Sequence, residues 1–132
     1  MVVADGAGLP VGYVLAPASP AEVTLAEETL DAVALDAVPQ RLVADKAYDS
    51  DRLRDALQER GIELICPHRA GRTRPPRQDG RALRRYKRRW KVERAFAWLS
   101  NYRRLCVRWE FYPRMFHAFV TVALIMITLN RF

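Results

Sequence analysis

Between Gly80 and Trp109 the chain carries eleven Lys and Arg and one acid, Glu93. Two chemistries fit a lone carboxylate in such a field. Arg89 stands four residues earlier, so on a helix the two would pair as an ordinary surface ion pair. Alternatively, the acid is a centre around which the cations are gathered. Arg81, Arg84, Arg88 and Lys91 recur at helical spacing, with Arg85 and Arg89 beside them. Such a stripe suits backbone phosphates, although a solvated helix face would look the same. A second acid, Asp45, follows the apolar run Leu42-Val43-Ala44. An acid at a strand end has a fixed direction; it is also a common turn-former or helix cap.

The elements that would carry these residues can be read from spacing and punctuation. Arg89 to Leu99 contains no Gly or Pro and good helix formers throughout. Val92, Phe96, Leu99 and Tyr102 fall on one apolar face, and one long helix is predicted from about Arg81 to Arg104. Upstream, Asp5-Gly6 and Gly8 separate Val2-Val3 from Val11 to Leu15, a hairpin signal. Ser19-Pro20-Ala21-Glu22 reads as N-cap, first-position Pro and capping Glu of a first helix. Val23, Ala26, Leu30, Val33 and Ala37 would be its buried face, and Pro39 its end.

A short strand over Arg41 to Ala44 follows. The next helix is capped by Asp49 or Ser50, turns Leu53, Ala56 and Leu57 inward, and stops at Gly61. Ile62 to Cys66 is a further short strand. Pro67 to Gly80 lacks periodicity and is rich in Pro, Gly and Arg, so it is expected to be a mobile loop. After a break from Trp109 to Pro113, a helix from Arg114 to about Asn130 is apolar almost all round, which predicts burial.

At 132 residues, half of them hydrophobic, the chain fits one domain with a real core and is not a disordered polymer. Its net charge of +7 is unevenly spread: −7 over residues 1–67, +13 over 68–108 and +1 over 109–132. That polarity suggests a polyanion bound on one side. Cys66 and Cys106 form no zinc-like spacing with His68 and His117, and both read as reduced core thiols. No basic n-region opens the chain, and Phe119 to Leu129 is too short to span a bilayer, so a cytoplasmic, non-membrane protein is expected.

Two segments resemble the signatures of insertion-sequence DDE transposases. "RRWKVERAFAWLSNYRRL", from Arg88 to Leu105, is similar to the family's C-terminal signature; "ADKAYDSDRLRDAL", from Ala44 to Leu57, is similar to its second. They occur in the expected order, and the likeness covers most of residues 1–132. Tyr86 and Arg89 precede Glu93 by seven and four residues, as in the Tyr-x-x-Arg-x-x-x-Glu pattern of related transposases. The basic residue expected seven after Glu93 is replaced by Ser100, and Arg103, one turn further on, is the candidate substitute.

The resemblance implies an α/β, ribonuclease-H-like domain: a mixed sheet with flanking helices, here lacking its first strand. It implies that Asp45 and Glu93 are two of three metal-binding carboxylates serving Mg²⁺ or Mn²⁺. Such ions take oxygen ligands, and a pair of them can activate a nucleophile and stabilise a leaving oxygen, which requires the complete domain. Asp5 does not fit as the third acid, because Gly6 to Pro17 holds only one further strand; Asp5-Gly6 looks instead like the family's hairpin turn. The first strand and its Asp are therefore expected upstream of Met1, on an upstream transposase segment or a second protomer.

The expected partner is DNA, both element ends and target, bound through Arg81, Arg84, Arg85, Arg88, Arg89 and Lys91 in a bacterial, nucleoid-associated setting. Trp90 and Trp98 could stack on bases or simply pack. The competing reading is a non-catalytic, basic DNA-binding remnant.

Overall fold

The computed structural model describes residues 1–34, 38–78 and 80–131. Ala37, expected on the first helix's buried face, lies outside them. The chain opens with the predicted hairpin. Strand β1 (Val2–Ala4) pairs antiparallel with β2 (Pro10–Tyr13), Val2 opposite Tyr13 and Val3 opposite Gly12. Asp5 builds the turn, its Oδ1 accepting from the Ala7 and Leu9 amides at 2.8 Å each. Gly8 holds φ +88°, a conformation that favours glycine.

Strand β3 (Arg41–Val43) pairs in parallel with β4 (Glu63–Ile65). Between them runs α2 (Asp51–Glu59), capped by Ser50, whose Oγ accepts from the Leu53 amide, and followed by Gly61 at φ +75°. The single mixed sheet expected from the sequence is divided: β1–β2 and β3–β4 are separate two-stranded sheets. They nevertheless share a core. On β1, Val3 packs with Met1, Leu42 and Ala44 around α1 (Ala26–Asp31), α2 and β4, through Leu30, Leu53, Leu57 and Leu64. Val2 turns to the other side, as strand alternation requires, and meets Leu99, Val120 and Leu124 with Tyr13.

Several helical expectations are corrected. Ser19 is not a cap; a 3₁₀ turn over Glu22–Leu25 precedes a short α1 that ends at Asp31, before Val33 and well before Pro39. The long basic helix is broken into α3 (Gly80–Leu83), a 3₁₀ stretch (Arg84–Arg88), α4 (Trp90–Leu99) and, after Ser100–Tyr102, α5 (Arg103–Cys106). Crowding of like charges at i, i+3 and i, i+4 disfavours a regular helix through Arg84–Arg88.

The last helix, α6 (Pro113–Leu129), is not buried all round. Val120, Ala123, Leu124 and Ile127 face the core, whereas Met115, Val122, Ile125, Met126 and Leu129 are exposed. Cys106 is exposed rather than in the core, because α5 is a single surface turn; Cys66 is buried as expected. Among the described residues, no helix is long and apolar enough to cross a membrane.

Candidate active site

Asp45 ends the β3 segment in extended conformation and caps the 3₁₀ turn Lys46–Tyr48, its Oδ1 accepting from the Lys46 amide at 2.5 Å. Asp45 thus caps this turn with Oδ1, which leaves Oδ2 unspent by the turn. Glu93 lies in the first turn of α4 and pairs with Arg89 at i, i+4, as their spacing predicts. The same guanidinium reaches further. Its other amino group stands 3.5 Å from Asp45 Oδ2.

Tyr86 closes the group: its hydroxyl lies 3.5 Å from Asp45 Oδ1, at the edge of hydrogen-bonding reach, and its ring stacks on Arg89 at 5.8 Å. Residues 45, 86 and 93, separated by up to 48 positions, therefore converge on the Arg89 guanidinium. The side chains of Asp45 and Glu93 are 39% and 55% exposed, so water and ions can reach the cluster.

Two carboxylates suit a hard cation, and Arg89 already stands as a positive charge between them. They could hold one such ion with water completing its shell. A two-ion site needs more ligands: among the described residues no group of three His, Cys, Asp or Glu side chains is placed to hold a metal.

The predicted cationic residues separate into two sets. Arg84, Arg85, Lys87 and Arg88 are exposed and have no ion-pair partner among the described residues, and Arg81 is exposed on α3. Lys91 is not on this open stretch: its ammonium donates to the Gly6 carbonyl, while Arg94 donates to the Ala7 carbonyl at 2.7 Å. These two bonds dock the β1–β2 turn on the Glu93 helix. Arg94 lies between the rings of Trp90 and Trp98, at 4.7 and 4.9 Å, and Arg131 stacks on Trp98 at 4.2 Å. Trp98 is thus a packing residue held by guanidinium groups, and half-exposed Trp90 retains open surface. Helix α4 stops at Leu99 with Ser100 as its C-cap, so Arg103 does not stand one turn further along it.

A neighbouring charge cluster escaped sequence reading. Asp49 is not a helix cap but a nearly buried carboxylate. Oδ1 faces Arg72 at 2.8 Å and Arg54 at 3.6 Å; Oδ2 faces His68 at 3.1 Å and accepts from the Arg69 amide at 3.0 Å. Burial works to raise its pKa, but the Arg69 amide, Arg72 and His68 outweigh it and hold the carboxyl below its ordinary value.

Asp51 pairs with Arg72 and Arg74, and Asp55 with Arg77, so the segment expected to be mobile is strapped along α2. Gln78 completes the strap, receiving the Cys66 amide and donating to the Leu64 carbonyl along the β4 edge. The signal that could have found this is the facing pattern of acids at 49, 51 and 55 and arginines at 72, 74 and 77.

Comparison with known proteins identifies the family. Residues 1–129 match the family model described as "Transposase DDE domain". A Burkholderia cepacia protein named as a transposase for insertion sequence element IS402 is 36% identical over 137 residues, covering 98% of this chain and 61% of that protein. No solved structure matches. The chain thus spans about three-fifths of the length of this relative. With a family match across almost its whole length, the chain belongs to the DDE transposases of insertion sequences.

Proposed function

We propose that this chain is the C-terminal portion of a ribonuclease-H-like DDE catalytic domain. In it Asp45 and Glu93 supply two of three carboxylates for metal-dependent DNA cleavage and strand transfer. The observation that carries the reading is the single guanidinium shared by Asp45 and Glu93, which joins the two family signatures in space. Asp45 offers Oδ2 from the end of the β3 segment, while its Oδ1 stays fixed by the Lys46 amide. Glu93 offers its carboxylate from the first turn of α4, and the Lys91 and Arg94 bonds to the hairpin turn fix that helix against β1. Bound Mg²⁺ or Mn²⁺ would polarise the phosphodiester and activate the attacking oxygen. Arg81, Arg84, Arg85 and Arg88 would hold the DNA backbone beside these acids without reading sequence.

The third acid belongs to a strand supplied from an upstream segment or second protomer. Among the described residues, β1 and β3 each pair with one strand only, which leaves each with an edge that has no strand partner. This chain alone is therefore expected to be inactive in nicking and strand-transfer assays with Mg²⁺ or Mn²⁺. Addition of an upstream segment bearing a strand with an Asp should restore turnover. Robust turnover by the chain alone, abolished by Asp45→Asn, would refute the missing-acid reading. If DNA binding persists while Asp45→Asn and Glu93→Gln leave metal binding unchanged, the chain is a basic DNA-binding remnant instead.

A further inference from the structure

Arg89 does more than pair with a neighbour one helical turn away. One of its amino groups meets Glu93, the other stands 3.5 Å from Asp45, and the Tyr86 ring backs it at 5.8 Å. We infer that Arg89 is a built-in counter-cation that closes the Asp45–Glu93 pair without metal, and that a divalent ion must displace it to bind. The inference rests on the reading of these two acids as metal ligands.

The physical case is competition for the same oxygens. Two carboxylates drawn to one place repel, and a cation between them relieves that repulsion. A planar guanidinium can face two carboxylates at once; an ammonium concentrates its charge at a single point. A hard divalent ion seeks those same oxygens, and the guanidinium charge opposes its approach. Both carboxylates are well exposed, and ion pairs of this kind are individually weak, so Arg89 lowers metal affinity without abolishing it.

The test is a calorimetric titration of this chain with Mn²⁺ alone. Arg89→Gln should tighten Mn²⁺ binding by about 3- to 10-fold, the size expected when one or two exposed ion pairs cease to compete. Arg89→Lys, which keeps the charge but loses the fork, should fall between Arg89→Gln and the native chain. It also serves as the readout should Arg89→Gln fail to fold by circular dichroism. Asp45→Asn and Glu93→Gln should each weaken binding. Equal or weaker Mn²⁺ affinity in folded Arg89 variants, with Asp45→Asn still weakening it, overturns the inference and leaves the metal-pair reading standing. Affinity unchanged by both acid substitutions overturns both.

Discussion

Replacing Asp49 with Asn probes the strap that holds residues 67–78 on α2. The native carboxylate, 5% exposed, faces Arg72, Arg54, His68 and the Arg69 amide. An Asn side chain keeps the shape and one acceptor but removes the charge. Breaking a fully buried pair costs about 3–5 kcal/mol. Here Arg72 retains Asp51 at 2.6 Å and Arg54 retains the Leu64 carbonyl at 2.8 Å, so the loss should be nearer about 2–3 kcal/mol, the value of a few charge-assisted hydrogen bonds. At this chain length that corresponds to a Tm lower by roughly 10 °C.

The pH dependence follows from the depressed carboxyl pKa. The unfolded chain takes up this proton first as pH falls. The native advantage is therefore full above about pH 4 and disappears as pH drops through the lower folded value. Urea unfolding of both proteins at pH 7 and pH 3 measures it, with limited proteolysis at Arg69–Arg77 as a local readout. A stability difference below about 0.5 kcal/mol at pH 7, the usual range of uninvolved surface changes, would refute the strap. So would a gap that stays constant into acid.

Gly8→Ala should cost about 1–3 kcal/mol, because φ is +88° and the new Cβ would lie 2.5 Å from the Arg94 guanidinium; chemical denaturation checks it. Leu124→Ala should cost about 2–5 kcal/mol in the same assay and Ile125→Ala well under that, since only the former faces the core. In DNA titrations over a range of salt, Arg84→Gln and Arg88→Gln should each lower the slope of log K against log salt by about 1, whereas Arg72→Gln should leave the slope alone.

What was legible in the sequence was local or carried by family signatures. Asp5-Gly6 and Gly8 mark the hairpin turn because few residues accept its geometry, and Ser50 to Gly61 bracket α2 by cap and stop. What was illegible depended on which surfaces meet. Asp49 has the composition of a cap, and only the return of residues 67–78 turns it into the centre of an ion network. That return also cancels part of the charge polarity, since Arg72, Arg74 and Arg77 answer Asp49, Asp51 and Asp55. Apolarity on every face of α6 could not say which face has a partner. Helical spacing through Arg81–Lys91 could not reveal that repulsion breaks the helix, or that Lys91 is drawn to Gly6.

The central claim is that Asp45 and Glu93 form one cation site, and its most direct test is anomalous diffraction from crystals of this chain soaked in Mn²⁺. A peak touching oxygen atoms of both carboxylates, with the Arg89 side chain turned away, is the expected result. Mn²⁺ bound elsewhere, with Arg89 still bridging the two acids at saturating metal, would contradict it.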